Sequence, residues 1–283
     1  MPLETYRIPV GTWVDTAVDW MTDNLEWLFD AISSFLSALI STLESVLLWP
    51  PAFVLVLIVA AIAFAVKGWR FGLFTAVSFS LIAMMGLWRE AMSTLSLVLV
   101  ASFVAVVIGV PLGILAARNE RFSSMMRPVL DLMQTMPSLV YLIPAIVFFG
   151  IGKVPGVVAT VVFAMPPAVR LTELGLRQVD AEVVEAGEAF GAPPLKILTR
   201  VQVPLALPTI MAGVNQVIML ALSMVVIAGM VGAGGLGAVV FRGVTRLDVG
   251  LGFEGGLSVV IMAVFLDRVT AAFGQKASKR VSH

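Results

Sequence analysis

The feature that most constrains this chain is a series of apolar runs separated by short polar segments. A helix needs about 20 mostly apolar residues, within a range of about 17 to 25, to cross the hydrocarbon core of a bilayer. Hydrophobic residues make up 59% of the 283 positions and charged residues only 13%, which is more apolar surface than a soluble core can bury. The pattern predicts an all-α, polytopic membrane protein. We predict seven spans, at residues 52–66, 71–87, 91–117, 137–151, 154–169, 205–231 and 255–273.

Lysine and arginine are distributed unequally between the two sides of these spans. Cytoplasmic loops of membrane proteins are enriched in both residues. If the tail at 276–283 is inside, counting back through seven spans places thirteen of the eighteen cations inside and five outside. The outside five are Arg7, Arg89, Lys153, Arg242 and Arg246. We therefore predict a multi-pass membrane protein with its N-terminus outside and its C-terminus inside.

Residues 1–50 differ from the rest of the chain because they carry an acidic stripe at helical spacing. The stripe contains Asp15, Asp19, Asp23, Glu26, Asp30, Ser34, Ser37, Ser41 and Glu44, with a mean step close to 3.6 residues. Tryptophan recurs every seven residues, at positions 13, 20 and 27. This pattern predicts an amphipathic helix at the membrane interface, where tryptophan is enriched. The alternative is an eighth span over residues 28–48, although only thirteen uncharged residues separate Asp30 from Glu44.

The sequence lacks residues that several classes of function need. The chain has no cysteine, and its one histidine is the last residue, His283, so we predict no metal site, no bound cofactor and no histidine-based catalysis. The net charge is zero and no basic patch carries interleaved aromatic residues, so nucleic acid is not an expected partner. The N-terminus lacks the pattern of a cleavable signal peptide.

The central parts of the predicted spans carry no ionisable residue, and Arg170 and Asp267 lie near span ends. Ion-coupled carriers generally need such residues at membrane depth, because the coupling ion must be bound and released there. The energy for transport is therefore expected to come from outside the chain. The alternative is a self-sufficient channel or secondary carrier for a small solute.

A few polar or soft side chains do occur within the spans. Interhelical hydrogen bonding explains such residues in many membrane proteins, and methionine commonly fills a core. The other interpretation is that they line a solute path. The candidates for the path are Gln134, Thr135, Tyr141, Asn215, Ser223 and Met224. The glycine-rich run 232–237 follows no strand and lacks a Lys-Ser/Thr pair, so we interpret it as a chain break after the sixth span rather than a phosphate loop.

The longest polar segment between spans is the loop at 170–204. Asp180 is placed to cap a helix that runs to Phe190, Gly191 is placed to end it, and two prolines follow. We predict a second short helix over 195–202 that stops before Pro204. A rigid helix followed by a tight turn and a membrane span can transmit a movement of a cytoplasmic partner into the membrane.

The amino-acid sequence of this loop resembles that of the coupling loop of ABC importer permeases. That family's pattern is Glu-Ala-Ala, three residues, Gly, nine residues, Ile-x-Leu-Pro. The corresponding residues here are Glu185, Ala186, Gly187, Gly191, Val201, Val203 and Pro204. The departures are Gly187 for Ala, Val201 for Ile and Val203 for Leu, while the spacing is intact. The resemblance implies a type I ABC importer transmembrane fold and a loop that docks on a separate ATP-hydrolysing subunit.

A finer resemblance runs from about residue 49 to residue 268. The chain is similar there to the permeases of glycine betaine/proline betaine importers, the ProW type, in the runs 111–114, 131–137, 140–144, 149–156, 166–172 and 221–228. The resemblance implies a transmembrane domain over 51–275 and import of a betaine-like solute. It also implies three kinds of partner: a separate extracytoplasmic solute-binding protein, a second copy of the permease and two ATPase subunits. The ATPase subunits hold the ATP and Mg²⁺. Glycine betaine, proline betaine, choline and a sulfonium analogue all remain open as the solute.

Overall fold

The structure, a computed structural model, describes residues 9–281, and every regular element in that range is helical, as predicted. The α-helices in chain order are α1 (Val10–Leu48), α2 (Ala52–Lys67), α3 (Trp69–Met84), α4 (Trp88–Arg118), α5 (Glu120–Thr135), α6 (Leu142–Phe149), α7 (Lys153–Ala164), α8 (Pro166–Arg177), α9 (Ala181–Ala189), α10 (Pro194–Ile197), α11 (Val203–Ala228), α12 (Gly235–Thr245) and α13 (Val249–Val281). A 3₁₀ turn occupies Ser138–Tyr141, and π-helical turns occupy Leu198–Gln202 and Gly229–Ala233.

Five helical stretches of the described chain are long and apolar enough to cross a membrane. They are Gly11–Leu48, Trp88–Arg118, Lys153–Arg177, Pro194–Ala233 and Val249–Gly274. Helices α2 and α3 have 16 residues each, slightly fewer than the usual span of about 20. The seven predicted crossings correspond to the last four of these stretches, the two short helices and one bent pair of helices.

That bent pair adds α5 in front of the span predicted at 137–151. Helix α5 and the segment Ser138–Phe149 meet at an angle of 108°. Met136 has extended backbone angles (φ −68°, ψ 135°), which the residue before a proline favours, and Pro137 has no N–H with which to continue the helix. The helical segment predicted from residue 137 is present over Ser138–Phe149, and α5 was missed as the other half of this element.

Helix α8 packs closely between α4 and α11 because glycines face it from both sides. A Cβ added to Gly113 of α4 would lie 2.6 Å from both the Thr172 Cβ and the Val169 carbonyl oxygen. A Cβ added to Gly213 of α11 would lie 3.0 Å from the Leu171 Cβ on the other side of α8. Small residues at helix contacts allow backbones to approach in this way. These contacts fix the position of α8, which leads directly into the coupling loop.

Helix α1 packs against α4 and against the junction between α6 and α7. Phe29 stacks on Phe148 with ring centroids 4.6 Å apart and meets Phe149 edge-on. Glu44, fifteen positions later, forms an ion pair with Lys153. The partners of these two side chains belong to the α6–α7 junction, and α1 also packs against the spanning helix α4.

One face of α1 is buried and the other exposed, as expected for an amphipathic helix. Leu36 and Ile40 are buried against the bundle, whereas Trp13, Trp20 and Trp27 are 62%, 60% and 69% exposed. The stretch Gly11–Leu48 also has the length and composition of a membrane span. Its location in the membrane interface stays a prediction, and residues 1–8 of the predicted N-terminal region lie outside the described part.

The glycine-rich run 232–237 turns α12 back against α11, which confirms a chain break there. A Cβ added to Gly237 would lie 2.1 Å from the Val226 carbonyl oxygen. The backbone N–H of Leu236, at the start of α12, donates to Oγ1 of Thr94 on α4 over 2.8 Å. Helix α12 was not predicted, because it lies in a segment interpreted only as a break.

Three predicted boundaries were wrong. The short helix expected at 195–202 does not stop before Pro204, because α10 continues through the π turn into α11 without interruption. Pro204 lies in the first turn of α11, where a missing N–H costs no intrahelical hydrogen bond. The last span begins at Val249, and its helix continues through the predicted tail to Val281.

We expect Gly113→Ala to destabilise the protein by about 1 to 3 kcal/mol, because the added methyl group overpacks the α4–α8 contact. Gly256→Ala on α13 is the matched control, since a Cβ there would meet nothing within 4 Å. Thermal unfolding of the purified variants in detergent measures the difference. Equal midpoints for the two variants would contradict the packing described for α8.

Candidate coupling surface and solute path

Helix α9 is a short helix with both ends fixed by local hydrogen bonds. At its start Asp180 Oδ1 accepts from the backbone N–H of Glu182 over 3.2 Å. At its end the N–H of Ala192 donates to the Gly187 carbonyl oxygen over 3.1 Å and that of Gly191 to Glu188 over 2.8 Å, the pair of bonds that defines a Schellman cap. The N-cap and C-cap predicted from the sequence are both confirmed.

Gly191 is required at this position by its backbone conformation. Its φ is +72°, in the left-handed region that costs a residue with a Cβ roughly 1 to 2 kcal/mol. A Cβ there would meet no other atom within 4 Å, so conformation rather than space selects glycine. Gly187 differs, because its backbone is helical and an added Cβ would make ordinary van der Waals contact with Ile197 Cγ1 at 3.4 Å.

The surface of α9 is open to a partner, because none of its residues is buried. Glu185 and Ala186 are exposed, and Phe190 just after the helix is 90% exposed. Val183 and Leu195 add further exposed apolar surface. Sequence analysis did not single out Phe190, although a large apolar residue directly before a helix-ending glycine in a polar loop was a usable signal.

A second, smaller hydrophobic core lies where α8, the π turn at Leu198–Gln202 and α11 meet. Leu176, Leu198, Ala206 and Ile210 are buried together there. Val201 and Pro204, predicted as part of the coupling loop, lie half-buried in the connection from α10 to α11. Because α10, the π turn and α11 are continuous, a displacement of α10 would be transmitted into α11 rather than absorbed by a flexible linker.

Charged side chains surround the base of α9. Arg118 donates to the Pro194 carbonyl oxygen over 3.2 Å and Arg177 to that of Ala116 over 3.1 Å. Both arginines line a cleft of about 420 Å³ together with Glu185 and Glu188. The acidic side chains of α9 and these basic side chains therefore line one cleft at the base of the helix.

The predicted path residues on α5 and after its bend lie in two environments. Gln134 and Thr135 are exposed at the last turn of α5. Tyr141 is buried, and its hydroxyl donates to the Met133 carbonyl oxygen over 2.5 Å. Tyr141 thus stabilises the bend, whereas the two residues before the bend are free to meet a solute.

The predicted path residues on α11 are also divided. Ser223 is exposed, and its hydroxyl donates to the Met219 carbonyl oxygen over 3.1 Å. Met224 is fully buried in the main core, so in this conformation it fills space and does not line a path. Asn215 Nδ2 donates to Asp267 Oδ1 of α13 over 3.1 Å, which is the interhelical role that the sequence left open. Within residues 9–281 no group of three or more His, Cys, Asp or Glu side chains could hold a metal ion.

Comparison with known proteins identifies the family. Residues 109–282 match the family described as "Binding-protein-dependent transport system inner membrane component". The chain belongs to this family. It is therefore an inner-membrane component of an ABC transport system, a class that works with an ATPase and a substrate-binding protein.

Curated relatives match almost the whole chain. It is 47% identical over 279 residues to the glycine betaine/proline betaine transport system permease protein ProW of Escherichia coli (strain K12), which covers 99% of this chain and 79% of that protein. It is 50% identical to the glycine betaine/carnitine transport permease protein GbuB of Listeria monocytogenes serotype 1/2a (strain 10403S), over 95% of this chain and 97% of that protein.

A solved structure supports the fold. An inward-facing form of the MetNI methionine ABC transporter matches with a TM-score of 0.61 and 24% identity, over 69% of this chain and 98% of the matched one. The type I importer fold predicted from the sequence is confirmed. About a third of this chain lies outside the shared part.

Proposed function

We propose that this chain is the permease subunit of an ATP-driven importer for a betaine-like compatible solute, such as glycine betaine, proline betaine, choline or a sulfonium analogue. The names of the curated relatives support this class of solute. The observation that carries the coupling role is α9, an exposed capped helix whose following segment runs without a break into α11. ATP and Mg²⁺ belong to the partner ATPase, and this chain holds no catalytic site of its own.

The translocation path forms between two copies of the chain. Its best candidates, Gln134, Thr135 and Ser223, lie on the outside of the protomer, so a second copy is needed to enclose them. The complete transporter then contains two permeases, two ATPase subunits and one extracytoplasmic binding protein. Each α9 docks on an ATPase subunit through Glu185 and the apolar side chain of Phe190.

The coupling role is tested by Gly191→Val and Glu185→Lys. The first distorts the end of α9, because valine resists the left-handed conformation, and the second reverses a charge on the docking face. We expect both to insert normally, to reduce solute uptake at least tenfold and to leave ATP hydrolysis unresponsive to the loaded binding protein. Uptake into proteoliposomes with the partner proteins is the measurement.

Gly187→Ala is the control for that experiment. Alanine fits beside Ile197 and favours a helix by about 1 kcal/mol relative to glycine, so uptake should stay at the wild-type level. Wild-type uptake by all three variants at matched expression would show that α9 is an ordinary connector.

The orientation proposed here places α9 in the cytoplasm and the Lys153 end of α7 outside. Because the natural chain has no cysteine, a single introduced thiol gives an unambiguous signal. In sealed right-side-out membranes, an impermeant thiol reagent should label Lys153→Cys at once and Glu182→Cys only after detergent treatment. Immediate labelling of Glu182→Cys with protection of Lys153→Cys would reverse the proposed topology.

A further inference from the structure

Helices α5 and α8 face each other through an antiparallel series of charged side chains. Arg177 binds Glu120 over 2.8 Å and Glu173 over 2.9 Å. Glu173 also accepts from the Ser123 hydroxyl over 2.7 Å. At the end of this series nearest the bend, Asp131 of α5 pairs with Arg170 of α8. Nothing in the coupling role of α9 requires this last pair.

The two helices are separated by a cleft of about 380 Å³, within the range of about 300 to 1,000 Å³ usual for small-molecule sites. Its lining consists of three arginines, two carboxylates and two leucines, namely Arg127, Leu130, Asp131, Arg170, Glu173, Leu174 and Arg177. Charges of both signs on an apolar floor suit a ligand that itself carries both charges.

Of the ion pairs in this cleft, the Asp131–Arg170 pair is the one most easily exchanged. Asp131 is 65% exposed and Arg170 40% exposed, whereas Glu173 is only 12% exposed. Exposed ion pairs contribute little to stability, so a ligand that replaces this pair gives up little interaction energy. Glu173, held by two close donors, stays in place and keeps the cleft in shape.

Asp131 also lies on the face of α5 that carries two candidate path residues. Gln134 and Thr135 follow it at positions i+3 and i+4, which are neighbours on one helix face, and all three are exposed. This face leads to the 108° bend. A solute that passes the bend along α5 therefore meets Asp131 and Arg170 next.

We propose that the α5–α8 cleft is a transient site for a zwitterionic quaternary-ammonium solute, which replaces the Asp131–Arg170 ion pair as it binds. The inference rests on the proposed function and names a site within it. The Arg170 guanidinium binds the solute carboxylate through two hydrogen bonds. Asp131 faces the quaternary ammonium, which has no N–H to donate and is held by charge and by contact of its methyl groups with Leu130 and Leu174.

The lining explains why such a site releases its ligand. Quaternary ammonium groups are bound tightly by aromatic cages, and no aromatic side chain is among the residues that line this cleft. Binding that permits passage must be favourable enough to admit the solute and weak enough to release it. Replacing the Asp131–Arg170 ion pair with one solute contact to each residue changes the net interaction energy little, so it meets that condition.

The test is saturation-transfer-difference NMR on the methyl protons of glycine betaine, with the purified permease–ATPase complex and no binding protein. We expect a methyl signal with the wild-type complex and a loss of at least fivefold with Asp131→Asn or Arg170→Gln. Arg170→Lys keeps the charge but lacks the planar guanidinium that can form two hydrogen bonds with a carboxylate, so it should give an intermediate signal. Lys153→Gln removes an ion pair far from the cleft and should leave the signal unchanged.

Competition identifies the charge pattern that the cleft recognises. Proline betaine, a zwitterion, should reduce the glycine betaine signal at lower concentration than choline, a cation. No wild-type signal, an equal signal in all variants, or equal competition by the two compounds would overturn the site. Uptake by the complete wild-type system distinguishes failure of this site from failure of the proposed function. Normal uptake without a methyl signal would contradict the site alone. Absence of uptake would contradict the proposed function.

Discussion

The close packing of α8 between α4 and α11 is the contact on which the other features of the structure depend. A Cβ at Gly109 would lie 2.7 Å from the Ala168 Cβ, and Gly113 and Gly213 meet α8 at similar distances. Lipid provides no hydrophobic force to drive helices together, so close van der Waals contact of this kind carries much of their association in a membrane. Because α8 is held on both sides, its two ends have defined positions. One end presents Arg170 to the α5–α8 cleft, and the other leads into α9.

The same contact links the coupling surface to the proposed path. Helices α8 and α11 flank the coupling loop in sequence and pack on each other in space. The two ends of the loop that contains α9 are therefore attached to helices that contact each other and do not move independently. A push on α9 therefore acts on α8 and α11 together. Since Arg170 lies on α8, movement of that helix relative to α5 would change the Asp131–Arg170 distance, which connects the ATPase to the place where we propose that solute binds.

Local features of the chain were predictable because short-range chemistry determines them. Asp180, Gly191 and the following prolines specify a capped helix wherever the loop lies, and the spacing from Glu185 to Pro204 was sufficient to identify the family. Helix α5 was missed because its charged residues exclude it from the apolar runs, although it forms one bent element with the span that begins after Pro137. Met224 was assigned to a path because its type suits a gate, whereas its burial depends on neighbours distant in sequence. The Asp131–Arg170 pair could not be predicted, since 39 positions separate its members and only the tertiary structure brings them together.

The central claim is that this chain moves solute only when a separate ATPase drives it through α9. The most direct measurement is uptake of radiolabelled glycine betaine into proteoliposomes that contain either this chain alone or the chain with its ATPase and loaded binding protein. The account predicts concentrative uptake only in the complete system and only with ATP, and none from the chain alone under a sodium or proton gradient. Accumulation by the chain alone under either gradient would contradict it.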